Sequence, residues 1–401
     1  MNAVGIDVSK GRSTVAILRP FGEIVASPFD VMHAADELGK LAGLLKKLGG
    51  ETKVVMECTG SYHLPIANAL HAAGLHVSAV QPLLIHGFGN NTIRRGSTDP
   101  ADALKIANYA LTYWLELPEY APAEDVRQML KAFSRQYNKY NKIKTMLKNN
   151  LISLLDQSFP DVKELFTSQE RESDGHEKWI DFSSHFWHCQ CVGDLSLKIF
   201  TERYRAWALR NGYRGVKAAE IHAAARNCAS VMPKNDTTKL LITQAVAQVN
   251  QIAESMATVA REMKRLAASL PEYPVVMEFF GVGGILGPQL MAEIGDVLRF
   301  PKKSSLVRFA GLEPTPDQSG KFRGDEAISK QGSPHLRKTL FQVMGVLLQK
   351  APADNSIYQL LDRKRAEKKH YFSYMCAGSA KFLRTYYARV KEYLANLEKA
   401  A

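Results

Sequence analysis

One carboxylate interrupts an otherwise apolar strand. Val4 to Val8 reads as a short buried β-strand broken only by Asp7, in the stretch GIDVSK. A charge inside such a strand is costly unless it is paired or bound to a cation. Whatever fold forms around Asp7 must therefore bring it a partner. Ser13 to Leu18 and Gly22 to Ala26 continue as a meander, with Arg19-Pro20-Phe21-Gly22 as the turn between them. Helical spacing runs from His33 to Leu48 through Leu38, Leu41, Leu44 and Leu45, and stops at Gly49-Gly50. Lys53 to Cys58 predicts a fourth strand with Glu57 near its end. A second pass follows through Ile66 to Ala73 and Val77 to Val80, then a polar loop from His86 to Ser97. A helix opens at Asp99.

The resulting order is β-β-β-α-β-α-β-α, with acids on the first strand, the fourth strand and the last helix. This plan resembles the RNase H-like fold. Asp99 and Asp102 stand three apart at a helix start, so they share a face where the dipole favours negative charge. Four carboxylates delivered from separate elements of an α/β domain can hold two divalent ions against a phosphodiester. Their mutual repulsion is ordinarily relieved by such cations. Taken singly, Asp99 is also an ordinary helix cap followed by Pro100 at the first helical position, and Glu57 could lie beyond the sheet edge.

The chain has 401 residues, room for two or three cores. No apolar run reaches bilayer-spanning length, and the N-terminus enters a strand without a signal peptide, so a cytoplasmic protein is expected. Cys58, Cys189, Cys191, Cys228 and Cys376 are odd in number and scattered, as for reduced thiols. Residues 1–120 hold 10 Lys/Arg against 11 Asp/Glu, whereas the remainder holds 42 against 29. An acidic centre for metals is thus joined to a basic remainder suited to a polyanion.

Beyond Tyr120 the pattern is helical. Leu130, Phe133, Tyr137, Tyr140, Lys144, Leu147, Leu151 and Leu154 step by threes and fours, a coiled-coil seam with one polar position. Ile242, Ala245, Val249, Ile252, Met256, Val259, Met263, Leu266 and Leu270 form a second seam, ending at Pro271. The two helices are expected to pair, within a chain or between subunits. Lys131, Arg135, Lys139, Lys142 and Lys148 decorate the first; solvated faces are the ordinary reading and phosphate contact the second. In the intervening segment His185, His188, Cys189 and Cys191 are spaced too tightly for a tetrahedral zinc site, and none is predicted.

Toward the C-terminus, Phe280-Gly281-Val282-Gly283-Gly284 precedes a helix from Ile285 to Ile294. Amides in such a turn can bind a backbone phosphate, in the manner of a helix–hairpin–helix element. Ser319 follows in DQSG, expected as a flexible loop beside Gly320, Lys321 and Arg323, where a hydroxyl can meet a phosphorus among cations. A turn-forming serine is the plainer account. Further basic candidates for phosphate contact are Arg94, Arg95, Lys302, Lys303, Lys330, Arg337 and Lys338.

The ordered set GIDVSK, MECTG, STDPADA, GVGGILGPQLMAEIGD, RFAGLEPTPDQSG and ISKQGSPHLRKTL closely resembles the DEDD transposases of insertion-sequence family 110. The resemblance implies an RNase H-like (RuvC-like) α/β catalytic domain over 1–120 and a first coiled-coil helix over 121–158. An insertion of unknown role spans 159–236 and a second coiled-coil helix 237–271. A mainly α transposase domain, with the helix–hairpin–helix-like element, occupies 272–401. It also implies that Asp7, Glu57, Asp99 and Asp102 bind Mg2+, with Mn2+ as an alternative, and that Ser319 is a nucleophile forming a phosphoserine link to DNA. Members of this family recombine donor and target DNA under direction of a structured bridge RNA, as dimers assembling to a tetramer with a composite site. A bacterial or archaeal setting at the nucleoid is implied as well. Three rival readings carry distinct signatures. A RuvC-like structure-specific endonuclease would use water in place of serine, with His335 as a further candidate for proton transfer in the serine route. An actin-like sugar kinase would need paired glycine-rich phosphate loops that this chain lacks. A noncatalytic nucleic-acid scaffold would tolerate loss of Asp7.

Overall fold

The computed structural model describes residues 1–58, 61–88, 98–120, 125–215, 217–315, 318–319, 322–323 and 327–400, some by their backbone alone. The chain divides into two compact units, Met1–Ala123 and Glu124–Ala401.

The first unit is a mixed α/β layer structure. Its elements are β1 (Asn2–Ser9), β2 (Arg12–Arg19), β3 (Glu23–Met32), α1 (Ala35–Lys46), β4 (Thr52–Glu57), α2 (Leu64–Ala72), β5 (His76–Val80), α3 (Pro82–Gly87) and α4 (Asp99–Thr112). The sheet order is β3-β2-β1-β4-β5. β1 pairs antiparallel with β2 and parallel with β4, and β4 pairs parallel with β5. Alternation along β1 separates two cores. Val4, Ile6 and Val8 pack with Leu38, Leu41 and Leu45 of α1 and Ile66 and Leu70 of α2. Ala3 packs with Ile106, Tyr109 and Ala110 of α4 on the opposite face.

Two elements differ from the sequence expectation. β3 continues past Ala26 to Met32, through Pro28. Proline is tolerated there because β3 is an edge strand, and the pairing register shifts between Val15↔Phe29 and Ile17↔Ala26, leaving Ser27 and Pro28 in a bulge. The loop expected from His86 begins later, because Pro82 at the first helical turn starts α3, which includes His86. Residues 89–97 of that loop lie outside the described residues.

In the second unit, α5 (Asp125–Ser158) and α10 (Asp236–Ala268) run alongside one another. On α10 the expected seam residues Ile242, Ala245, Val249, Met256, Val259, Met263 and Leu266 are buried. Between them lie α6 (Lys178–His185), α7 (Gln190–Gly193), α8 (Leu197–Arg210) and α9 (Ala218–Arg226). These helices enclose Trp179, Phe182, Phe186, Phe200, Tyr204 and Trp207 against Leu151 and Leu155 of α5 and Ile242, Val246 and Val249 of α10. A second core gathers at the other end of the pair, around Leu130, Val259, Met263 and Leu266. It is closed by α11 (Tyr273–Met277), α12 (Leu286–Ile294), α13 (Lys303–Phe309), α14 (Pro334–Lys350), α15 (Ser356–Ala366) and α16 (Tyr371–Ala400). Between α13 and α14 the backbone forms β6 (Pro314–Thr315) with β9 (Ala327–Ile328), and β7 (Gln318–Ser319) with β8 (Phe322–Arg323), both antiparallel.

Lys144, the polar position in the first seam, is buried. Its ammonium lies 2.9 Å from Glu170 and 3.6 Å from Glu177, and donates to the Gly175 carbonyl at 3.3 Å. Glu177 also accepts from Lys148 at 2.8 Å and from the Trp179 indole at 3.0 Å. Burial pushes the Glu177 carboxyl up, but these hydrogen bonds and the two lysine charges outweigh it and hold it below the usual range.

Candidate active site

Asp7 and Glu57 reach one face of the first unit by strand parity. β1 and β4 are parallel neighbours in register Gly5↔Val55 and Ile6↔Met56, so Asp7 and Glu57 come next, side by side at the strand ends. Val55 belongs to the core formed with α4, so Glu57, two residues on, takes the same side. α4 begins at Asp99 with Pro100 in its first turn, placing Asp99 and Asp102 there together.

Gly5 sets how close that helix comes. An ideal Cβ on Gly5 would lie 2.1 Å from the Ala103 carbonyl oxygen and 2.3 Å from the Ala107 nitrogen. No side chain fits, so α4 rests directly on the β1 backbone beside Asp7.

Asp7 and Glu57 feel the charge of the neighbouring carboxylates. Asp7 has its pKa raised from 3.8 to about 6, first by burial and then by Asp102 and Asp99. Glu57 is also raised, by burial foremost; His86 and Lys105 oppose this, while Asp7 and Asp102 add to it. Arg12 lies 3.3 Å from Asp99 and 3.4 Å from Asp30, and Asp30 accepts from Thr14 at 2.7 Å. Arg12, Asp30, His86 and Lys105 therefore surround the acids, and sequence reasoning singled out none of them for this site. Arg12 and Asp99 are separated by 87 positions, and no local pattern links them. Gly5 did carry a signal, because glycine within an apolar strand marks close backbone approach.

Among the described residues, no group of three or more His, Cys, Asp or Glu side chains is arranged to hold a metal ion. The acids stand as neighbours rather than as a closed ligand set. Their chemistry nevertheless fits a hard divalent cation: all donors are carboxylate oxygens, and their mutual repulsion is what such an ion relieves.

Ser319 belongs to the second unit. Its backbone pairs with Phe322 across the β7–β8 hairpin, so the expected loop is a strand at this residue. Gly320 and Lys321 lie outside the described residues, as do Arg94 and Arg95, and Arg323 is placed by its backbone opposite Gln318. Lys139, Lys302, Lys303 and Lys330 are exposed. Arg135, Arg337 and Lys338 have hydrogen-bond partners within the protein. Arg135 donates to the buried Glu293 at 3.2 Å, and Glu293 also accepts from Ser333 at 3.1 Å. Arg337 donates to the Ala310 and Lys330 carbonyls at 2.9 and 3.2 Å, and Lys338 to Asn138 at 2.6 Å. Lys131 has its pKa lowered, chiefly by burial, against the favourable charge of Glu293. His335 is lowered as well, again chiefly by burial. His188 uses both ring nitrogens, one facing the Met232 carbonyl at 3.0 Å and the other accepting from the Gln190 amide at 3.1 Å.

A family model for the DEDD transposases of IS110, described as "Transposase", matches residues 4–160, and one described as "Transposase IS116/IS110/IS902 family" matches 273–359. The chain belongs to the IS110 transposase family. It is a DNA transposase/recombinase by that membership. The pilin gene-inverting protein of Moraxella bovis is 22% identical over 320 residues, covering 79% of this chain and 74% of that one. A Sinorhizobium fredii sequence with a transposase name, y4rJ, is 36% identical over 84 residues, 20% of this chain and 21% of that protein. The solved structure titled "T. thermophilus RuvC in complex with Holliday junction substrate" aligns with 29% of this chain and 96% of that chain at 16% identity. Its TM-score is 0.22, too low to carry an argument. No helix among the described residues is long and apolar enough to cross a membrane.

Proposed function

We propose that this IS110-family transposase cuts and rejoins DNA through a covalent phosphoserine intermediate, with the first unit acting as an RNase H-like (RuvC-like) catalytic domain. The observation that carries the reading is the convergence of Asp7, Glu57, Asp99 and Asp102 on one face, where Asp7 and Glu57 are raised by burial and by the charge of neighbouring carboxylates. These four side chains would hold Mg2+ or Mn2+, which when bound stabilises charge developing on phosphoryl oxygens.

Ser319 is the proposed nucleophile. Its Oγ forms a bond to the scissile phosphorus as the P–O3′ bond breaks; the serine proton is lost and the departing O3′ is protonated. The 3′-hydroxyl of the exchanged strand then attacks the phosphoserine and releases the serine. Each ester replaces another, so no external energy source is required. Exposed Lys139, Lys302, Lys303 and Lys330, with Arg94, Arg95, Lys321 and Arg323, are the proposed contacts to the DNA backbone or to a bridge RNA pairing with donor and target. The helix pair of residues 121–158 and 237–271 joins the catalytic domain to a transposase domain over 272–401, which carries the helix–hairpin–helix-like turn. Active sites are completed between protomers of a dimer that assembles to a tetramer.

The test incubates labelled element-end DNA with Mg2+ and denatures the mixture. The parent protein should yield a DNA-linked species that is absent in Ser319→Ala and in Asp7→Asn. If Ser319→Ala still cleaves, water is the nucleophile and the endonuclease reading replaces this one.

A further inference from the structure

The last turn of α15 and the turn leading to α16 carry a cluster that the catalytic reading does not use. Arg363, Lys364, Arg365, Lys368 and Lys369 fall within seven residues, against Asp362 and Glu367. Among the described residues the only ion pair in this run joins Arg363 to Glu367 at 3.9 Å. Tyr371 and Phe372 follow after His370 and are 48% and 58% exposed. Their rings are held rather than loose. Phe372 lies against Phe341 of α14 with centroids 6.3 Å apart and planes at 29°, and beside His370 at 5.7 Å. Tyr371 is edge-on to Phe372 and to Tyr374. The run lies beyond residue 359, where the second family match ends.

Exposed, backed aromatic rings beside a run of cations have a restricted set of occupants. A second copy of this chain would set like charges against one another. A DNA duplex satisfies the cations but keeps its base faces stacked away from the rings. Unpaired nucleotides satisfy both, because every base has a π-face to stack and every linkage a negative charge. A transposase acting on DNA generates unpaired strands.

We propose that this turn is a grip for single-stranded DNA, with bases stacking on Tyr371 and Phe372 and phosphates held by Arg363, Lys364, Arg365, Lys368 and Lys369. The proposal rests on the strand-breaking function only for the origin of its ligand. Its test is therefore a binding measurement on the full chain in the presence of a chelator, where failure of the catalytic reading has no effect.

Fluorescence anisotropy of a labelled 20-nucleotide oligo-dT and of a 20-base-pair duplex is compared for parent, Tyr371→Leu/Phe372→Leu and Lys368→Gln/Lys369→Gln. The leucine pair should weaken oligo-dT binding by about tenfold or more and duplex binding by less than about twofold. The glutamine pair should reduce the slope of log affinity against log salt on oligo-dT by about 1.4. Should the leucine pair disturb folding in a thermal melt, the glutamine pair, at exposed positions, carries the test. Equal losses on duplex and single strand would overturn the proposal, as would unchanged oligo-dT binding. So would a greater loss on oligo-U RNA than on oligo-dT, or a loss confined to phosphatidylserine vesicles.

Discussion

A carboxyl group raised to about 6 in the folded chain holds its proton more tightly there than in the unfolded chain. For Asp7 the unfolded reference is 3.8. The group therefore favours the fold most below about pH 4. That contribution falls as pH rises from 4 to 6 and is absent above. Asp7 is half-buried, so solvent screening reduces the effect to about 1–2 kcal/mol. Without divalent ions, Asp7→Asn should melt above the parent at pH 7.5 by that amount and close to it at pH 4. Added Mg2+ should raise the parent's melting temperature at pH 7.5 and leave the variant's unchanged, while cleavage is lost in the variant. A parent more stable than the variant at pH 7.5 without metal would contradict the assigned environment. Asp7 was legible in sequence because an apolar strand isolates it. Arg12 was not, because its meaning comes from Asp99 on a distant helix.

At the scale of elements, the close seating of α4 on β1 is what gathers the acids. Gly5→Val should push the helix off the strand, since its branched carbon has no space against Ala103 and Ala107. The expected cost is about 3 kcal/mol or more, read as a lower first-unit melting transition together with loss of cleavage. A variant that melts with the parent would show that α4 can shift freely. The helix pair offers a second case. Lys144→Met keeps the length of the buried chain but leaves Glu170 and Glu177 short of a cation. A loss of about 3 kcal/mol is expected, with Lys148 still holding Glu177 and limiting the damage. Urea unfolding measures it, and an unchanged midpoint would refute it. Sequence spacing found Lys144 as the polar seam position. It contained no sign that the acids meeting it lie in the segment that follows, because that pairing forms only when α6 folds back along α5 and α10.

For the whole molecule, the proposed sharing of a catalytic centre between protomers makes a prediction no single chain could satisfy. Asp7→Asn and Ser319→Ala, each inactive alone, should recover covalent capture of DNA when mixed and allowed to exchange subunits. Recovery requires that the acids of one protomer serve the serine of another. An inactive mixture, with exchange verified by differently tagged copies, would place both groups in the same chain.

Periodicity is local, so the sequence by itself determined most strands and helices of the first unit, α3 apart, and that Asp7, Glu57 and the Asp99–Asp102 pair fall on three separate elements. The apolar spacing of Leu38, Leu41 and Leu45, and the regular run from Ile242 to Leu266, need no distant information. The tertiary structure decided what those elements place together: Glu57 beside Asp7, α4 against Gly5, Arg12 on Asp99 and Lys144 between two glutamates. It also extended β3 through Pro28, which only an edge position with a bulge allows. The physical reason is the same in each case. Backbone preference is set by near neighbours, whereas the charge, clearance and burial felt by a side chain depend on strand order and register joining residues tens of positions apart.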